Sequence, residues 1–277
     1  MISIDQIPFT FLDCETTGLS PRYGDKVCEI ALLKVRGGEV QESYQTLVNP
    51  GRPISPGAMA VNGITDAMVQ DAPSFSEIAE KLIRIIGDSV IVAHNAKFDL
   101  GFLSTQFRNA RIPLFDNVVI DTLLLARRHY HFPSNSLGNI CTFLNFAVKD
   151  EHRAMGDVVL TRMVWERFLA DLKERGIATL EEIISLQGGP VVLQGDGEIS
   201  LSPLLDEALR SRSKVRINYI SANRRESIRV IEPLEVTSLG DYLYLLAFCH
   251  LRQEKRTFRL DRVISLQMVE DPAAWSD

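Results

Sequence analysis

The sequence predicts an α/β domain built on a mixed β-sheet, joined to a small β-rich domain. Three observations carry that prediction. Residues 9–48 hold three strand-like runs separated by tight turns. Residues 74–173 alternate short apolar runs with helical periodicities. From about Ser200 the pattern changes to short strands spaced by turn residues. Antiparallel strands followed by strand–helix alternation build a mixed sheet covered by helices.

Phe9-Thr10-Phe11-Leu12-Asp13-Cys14-Glu15 reads as a strand that enters the turn Thr16-Thr17-Gly18. Phe9, Phe11, Asp13 and Glu15 share one parity and therefore one face. Strands are predicted at about Val27–Val35 and Glu39–Val48, with Gly37-Gly38 as the hairpin signal between them. Ser74-x-x-Glu77 is a capping box that opens a helix with Ile78, Leu82, Ile85 and Ile86 on its inner face, and Gly87 stops it. Val90–Ala93 is a short buried strand, followed by a helix from about Asp99. Val118–Ile120 is another strand, and Asp121 caps the helix that begins at Thr122. Helices are predicted near Thr122–His129, Leu137–Phe146 and Arg153–Lys173. A short amphipathic helix, Leu180–Leu186, precedes the turn-rich Gly188-Gly189-Pro190 and Gly195-Asp196-Gly197. Beyond it come one helix (Leu204–Arg210) and strands at Val215–Ile220, Ser227–Glu235, Tyr242–Cys249 and Arg256–Leu260. These suggest a small, partly closed barrel. The chain is thus divided into residues 1–175, a linker with a short helix at 176–199, and residues 200–277.

A length of 277 residues is ample for two domains. The longest apolar stretches, such as Ile30–Leu33 and Tyr242–Phe248, are too short to span a bilayer, so no membrane partner is expected. Met1–Pro8 lacks a basic start followed by an apolar run, so no secretory signal is read. Cys14, Cys28, Cys141 and Cys249 form no C-x-x-C pair and fit reduced thiols in a cytoplasm. The formal net charge is -6, carried by the first 200 residues, whereas residues 201–277 are close to neutral. Acidity of this kind argues against tight non-specific duplex binding. It suits a region that chelates cations, because a bound metal reverses the local field.

Three short clusters carry the chemistry: Asp13-Cys14-Glu15, His94-Asn95-Ala96-Lys97-Phe98-Asp99 and His152-Arg153-Ala154-Met155-Gly156-Asp157. Asp13 and Glu15, two apart on a strand, project the same way at its C-terminal end. Cys14 has the opposite parity and is read as a packing thiol. Asp99 follows a strand and Asp157 falls in the first turn of a helix, both natural places to present a carboxylate. Hard cations such as Mg²⁺ or Mn²⁺ take oxygen ligands of this type. Four carboxylates can hold two such ions ~3.5–4 Å apart for in-line attack on phosphate. His152, five residues before Asp157, falls on the loop that enters the helix, where an imidazole can take a proton from the attacking water. An isolated Asp-x-Glu is ordinarily a polar strand end, and it is the ordered recurrence of the other clusters that makes this one catalytic. His94 and Asn95 are read as orienting or loop-closing groups. Arg127, Arg128, His129 and His131 are read as solvated surface.

These residues resemble the DEDDh 3′→5′ exonucleases of the RNase H-like superfamily, the group that includes the proofreading exonuclease subunit of bacterial replicative polymerases. Asp13-Cys14-Glu15-Thr16-Thr17-Gly18-Leu19 is similar to the first motif, His94 to Asp99 with Phe102-Leu103 to the second, and His152 to Asp157 with Thr161 to the third. Val61-Asn62-Gly63-Ile64-Thr65 and Asp121-Thr122-Leu123 also resemble family segments, and Asn62 stands where a histidine is frequent. The resemblance spans about residues 7–170. It implies a mixed five-stranded sheet, two divalent metals held by Asp13, Glu15, Asp99 and Asp157, and Asp13 bridging them. His152 is the implied general base, and the implied products are nucleoside 5′-monophosphates from a 3′ end. Thr16, Thr17 and Leu19 are implied contacts of the terminal nucleotide, with Leu19 as an apolar wedge. Asn95 and Phe98 are further candidate substrate contacts.

The C-terminal region is dense in arginine (Arg224, Arg225, Arg229, Arg252, Arg256, Arg259, Arg262), with Tyr219, Tyr242, Tyr244, Phe248 and Phe258 between them. Arginine forks bind phosphate and aromatic faces stack on bases. Strand parity prevents all of these arginines from lining one groove. Leu243 to Ala247 followed by Arg256 to Arg262, with Ile217-Asn218-Tyr219 and Glu232-Pro233-Leu234, resembles the WYL domain, an Sm/SH3-like β-barrel. Leu243 replaces the tryptophan of that family's name. The resemblance implies a ligand- or nucleic-acid-sensing module, with Arg256, Arg259, Arg262, His250 and Arg252 as candidate anion contacts.

The leading expectation is a metal-dependent 3′→5′ exonuclease on DNA, preferably single-stranded ends. An exoribonuclease on short RNA remains open, because no residue reads the 2′-hydroxyl unambiguously. A non-catalytic regulator is disfavoured, because clustered acids without a metal repel one another.

Overall fold

The computed structural model describes residues 4–19, 21, 24–148, 152–191, 203–221, 226–239 and 242–269. Arg224, Arg225 and the Gly195-Asp196-Gly197 turn lie outside the described residues. Strands β1 (Phe9–Thr16), β2 (Val27–Arg36) and β3 (Glu39–Leu47) open the chain. Helices α1 (Pro56–Asn62), α2 (Asp66–Val69) and α3 (Phe75–Ile86) follow. Next come β4 (Val90–Ala93), α4 (Ala96–Ala110), β5 (Val119–Asp121), α5 (Thr122–His129), α6 (Leu137–Phe143) and α7 (Ala154–Glu174). The first sheet has the order β3-β2-β1-β4-β5. β1 and β2 pair antiparallel, as do β2 and β3, whereas β4 lies parallel to both β1 and β5. This is the mixed five-stranded sheet that the sequence predicts.

Alternation along β1 divides the domain into two cores. Phe9 and Phe11 pack with Leu33, Val92, Ile120 and the α7 residues Val164, Trp165 and Phe168. Leu12 and Cys14 pack on the other face with Ile30, Leu32 and the inner faces of α3 and α4, including Leu82, Ile85, Leu103 and Phe107. The Ser74–Glu77 capping box is formed as expected, and it fixes where α3 begins.

Two helices, α1 and α2, fall in a stretch that periodicity did not assign, because seven and four residues are too few to show a 3.6-residue repeat. The start of α1 carries a signal all the same. Ser55 is its N-cap, accepting from the Ala58 amide at 3.1 Å, and Pro56 occupies its first turn. α4 begins at Ala96, three residues before Asp99, because Asn95 adopts a left-handed φ of 68° as its cap.

Helix α8 (Leu180–Leu186) packs Ile183 into the first core, so this segment of the expected linker is tied to the nuclease sheet. Gln187 completes that attachment. Its Oε1 accepts from the Asp121 amide at 2.9 Å, and its Nε2 donates to the Val119 carbonyl at 2.9 Å, which covers the edge of β5.

The C-terminal unit consists of α9 (Pro203–Ser211), β6 (Val215–Ile220), β7 (Glu226–Leu239), β8 (Tyr242–Cys249), β9 (Glu254–Arg259) and β10 (Val263–Met268). β10 extends beyond the last strand read from the sequence. The five strands form an antiparallel sheet in the order β10-β6-β7-β8-β9. Among the described residues no ladder joins β9 to β10, so the sheet is open where a closed barrel would pair them. Leu205 and Ala208 of α9 pack with Val215, Ile217, Ile231, Leu245 and Phe258 beneath it. The β7–β8 pairing shifts register between Pro233 and Glu235, as expected where a proline has no amide to offer the ladder. Among the described residues, no helix is long and apolar enough to cross a membrane.

The two units touch directly. α1 lies against β10 and the turn Leu260–Arg262. The approach at Gly57 is so close that a Cβ there would stand 2.2 Å from the Val263 carbonyl oxygen. On another side, Arg127 Nη1 meets Asp206 Oδ2 of α9 at 3.0 Å, and the Asn135 amide donates to Glu207. Arg127 is therefore part of a domain interface and not solvated surface. His129 likewise bonds the Leu186 carbonyl at 2.8 Å instead of facing solvent alone. The sequence offers no local mark of either pairing.

Candidate active site

The face of β1 that begins with Phe9 and Phe11 under α7 ends with Asp13 and Glu15. The first turn of α7 brings Asp157 to the same place. Carboxylate oxygens of Asp13, Glu15 and Asp157 all lie within 4.8 Å of one another. Asp99 stands behind them, 3% exposed, with its Oδ1 accepting from the Cys14 amide at 2.9 Å. That bond ties the head of α4 to the strand carrying the other acids. Cys14 itself is buried on the opposite face, as its parity predicts.

The electrostatics are those of a site short of positive charge. Burial pushes the Asp13 carboxyl well above the usual carboxylate range, and Asp99, Asp157 and Glu15 add to the rise. Burial also raises Glu15 to about 8, with Asp157 adding to the shift and a hydrogen bond from Asn62 opposing it. Asp99 is raised by burial against the lowering effect of the Cys14 amide. Asp13 and Glu15 keep part of their surface open, so a cation can reach them. Oxygen-only donors, close together and mutually repelling, fit hard divalent ions.

His152 occupies the exposed turn that enters α7, with φ of 64°. It lies outside the three-carboxylate group. His94 is buried and both ring nitrogens are engaged, Nδ1 with the Thr122 hydroxyl and Nε2 with the Asn135 carbonyl, each at 2.9 Å. Burial lowers its pKa to about 4, so it is a neutral brace, in line with an orienting role. The Asn95 and Ala96 amides both donate to Asp121, at 3.0 Å each. Asp121 also accepts from Leu123 at 2.9 Å, so it caps α5 as expected and steadies the head of α4 as well. Phe98 is half-buried, its ring 5.0 Å from that of Phe102.

The turn after β1 is strongly shaped. The Thr16 hydroxyl donates to the Gly18 carbonyl at 2.6 Å. Thr17 is fully buried, and its hydroxyl accepts from the Lys26 amide at 3.1 Å. Asn62, at the end of α1, donates to the Thr16 carbonyl at 3.4 Å. Leu19, the expected wedge, packs against the core of the C-terminal unit. That unit therefore stands beside the loop Thr16–Leu19.

The candidate anion-binding residues of the C-terminal unit do not form one cluster. Arg256 is exposed and pairs with Glu254 at 2.8 Å. His250 Nε2 meets Glu232 at 2.8 Å. Arg252 is exposed, and Arg259 and Arg262 are half-buried. Alternation along β9 places Arg256 and Arg259 on opposite faces. Sequence reasoning missed Glu29 altogether. Its signal was a lone carboxylate inside the otherwise apolar run Val27–Leu33, an unusual place for an acid.

Comparison with known proteins agrees with this geometry. Residues 10–163 match the family described as Exonuclease (RNase T), and residues 201–268 match the WYL domain. A PolC-type DNA polymerase III of Bacillus cereus is 37% identical over 191 residues, which is 68% of this chain but only 13% of that protein. Exonuclease X in complex with 5′-overhanging duplex DNA matches with a TM-score of 0.50 at 28% identity, over 65% of this chain and 99% of that one. E. coli exonuclease I in complex with a dT13 oligonucleotide shares the fold with a TM-score of 0.55 at 16% identity, over 88% of this chain and 55% of that one. Asp13, Glu15, Asp99 and Asp157 all lie inside the matched segment, and the chain belongs to the exonuclease family, with a WYL domain following the nuclease unit.

Proposed function

We propose that this protein is a 3′→5′ exonuclease that releases nucleoside 5′-monophosphates from DNA, with single-stranded 3′ ends as the preferred substrate. The observation that carries the reading is the convergence of Asp13, Glu15 and Asp157 on one point, with Asp99 fixed to the Cys14 amide behind them. Two divalent ions, Mg²⁺ or Mn²⁺, held by these four carboxylates would supply the charge that activates a water and stabilises the leaving 3′ oxygen. His152, on the exposed turn before Asp157, accepts the proton of the attacking water. The Thr16–Leu19 loop, braced by Asn62 and α1, positions the terminal nucleotide.

In this reading the catalytic unit is residues 1–175 with α8 packed on it, and residues 200–277 form an Sm/SH3-like module that grips or senses nucleic acid. Support for that role comes from the packing of Leu19 and α1 against the C-terminal core, which puts the module beside the loop that meets the 3′ end. The four cysteines are buried and form no disulfide, in keeping with a cytoplasmic protein.

The test is digestion of 5′-labelled and 3′-labelled DNA and RNA oligonucleotides with and without Mn²⁺. The expected result is stepwise shortening from the 3′ end of DNA that needs metal and is abolished by Asp13→Ala or Asp157→Ala. Faster digestion of the matched RNA would make the enzyme an exoribonuclease. Binding without metal-dependent turnover would leave only the regulator reading.

A further inference from the structure

Glu29 lies in the middle of β2, 1% exposed, in register with Glu15 of β1. A buried carboxylate is tolerated only when its lone pairs are matched. Those of Glu29 are matched by the entrance to α7. Its Oε1 accepts from Arg153 Nη2 at 2.7 Å and from Gln45 Nε2 at 2.9 Å. Its Oε2 accepts from Arg153 Nε at 3.0 Å and from the Ala154 amide at 3.1 Å. The guanidinium is thus held by a two-point fork, and an orphan amide of the α7 head is satisfied by the same carboxylate. Burial pushes the Glu29 carboxyl up, but Arg153, Ala154 and Gln45 outweigh it and hold it below the usual range.

The clamped residues sit between His152 and Asp157. His152 has φ of 64°, a left-handed backbone that a residue with a Cβ adopts only where its surroundings impose it. Arg153 returns to extended backbone, with φ of -128° and ψ of 129°. An exposed imidazole on such a turn takes its direction from the main chain beneath it, and that main chain is anchored at Arg153 and Ala154. Both Glu29 oxygens are occupied by these donors, and Glu29 is not in the group formed by Asp13, Glu15 and Asp157. It is therefore placed to act on the turn and not on an ion.

We propose that Glu29 is a positioning residue for the nuclease reaction: through the Arg153 fork and the Ala154 amide it fixes the turn that aims His152 at the attacking water. The inference rests on the exonuclease reading above, and specifically on His152 as the base.

The experiment is a double-mutant cycle in the full-length protein with Glu29→Gln and His152→Gln, read by single-turnover release from a labelled oligonucleotide across pH. Mn²⁺ binding is followed in parallel. A glutamine presents an N–H₂ where Arg153 or Ala154 needs an acceptor, so the clamp loosens with little change in volume. Glu29→Gln is expected to lower kcat about 10- to 100-fold, the scale of an ångström-level misplacement, with KM and Mn²⁺ affinity within about twofold of wild type. In the His152→Gln background the same substitution should change the rate by less than about threefold, because its effect passes through the missing imidazole. If Glu29→Gln fails to fold, Arg153→Lys, which keeps the charge and loses the fork, carries the same cycle. Full additivity, a loss of Mn²⁺ affinity, or an unchanged kcat would each overturn the role. An inactive wild-type protein, or a fully active His152→Gln variant, would instead overturn the underlying reading of the site.

Discussion

Asp121 supports two helices at once, and removing its carboxylate should damage both. It is 2% exposed. One oxygen accepts from the amides of Asn95 at 3.0 Å, Leu123 at 2.9 Å and Leu124 at 3.4 Å, and the other from Ala96 at 3.0 Å. In Asp121→Ala the lost α5 cap costs about 1 kcal/mol. The Asn95 and Ala96 amides, left without acceptors, add about 1–3 kcal/mol each. Burial pushes the Asp121 carboxyl up to about 6 even with those four donors, so removing it also relieves a desolvation cost. A net loss of about 2–4 kcal/mol follows, which for a unit of this size is a fall of about 5–12 °C in Tm. Asp121→Asn keeps the oxygen that serves three amides but turns an N–H₂ toward Ala96, and should lose about 1–2 kcal/mol. Because Asn95 and Ala96 open the helix that carries Asp99, Mn²⁺ affinity should drop about 10- to 100-fold in Asp121→Ala. Thermal melts and Mn²⁺ titrations test this. An alanine variant that melts within about 1 °C of wild type and binds Mn²⁺ unchanged would show that Asp121 braces neither helix.

Three further outcomes follow from the same structure. Glu15 is raised from 4.5 to about 8, and Asp13 and Asp99 are raised with it, so in this range the folded state holds protons that the unfolded chain releases. Stability in chelator should therefore fall as pH rises from about 4.5 through about 8, and the rise in Tm given by Mn²⁺ should grow over that interval; melts showing no such trend would contradict the charge crowding. Gly57→Ala places a Cβ against the Val263 carbonyl and should cost about 1–3 kcal/mol by parting α1 from β10, seen as faster proteolysis between the units; an unchanged cleavage pattern would mean that this close packing is dispensable. Replacing Arg256 and Arg259 together by alanine should weaken oligonucleotide binding and flatten its salt dependence by about 0.7 in log–log slope for each phosphate no longer neutralised, while an unchanged slope would remove the C-terminal sheet from substrate capture.

Local signals made much of this molecule legible. The parity of Phe9, Phe11, Asp13 and Glu15 put them on one face of β1, because side-chain alternation in a strand is fixed by covalent geometry, and that face proves to be the one under α7. The capping box at Ser74 and the span of α5 were legible for the same kind of reason. What stayed hidden depends on partners far along the chain. α4 starts at Ala96 because Asp121, twenty-five residues away, receives its first amides. Glu29 is intelligible only once Arg153 arrives beside it, 124 residues later. Leu19 is expected as an apolar wedge at the terminal nucleotide, yet it rests on a core assembled from residues beyond 200. Strand β10 is the exception, a miss despite a local signal: Ile264-Ser265-Leu266-Gln267-Met268 alternates apolar and polar as a half-buried strand does.

β1 carries the apolar side chains of two cores and the acidic pair on a single two-residue repeat. Sliding it by one position against β2 or β4 would thrust Asp13 and Glu15 among Leu82, Ile85 and Phe107 and turn Leu12 and Cys14 toward α7. No misthreaded chain could then be sound in its packing and wrong only in its chemistry. For this strand, correct folding and the capacity to collect cations amount to one and the same pairing decision.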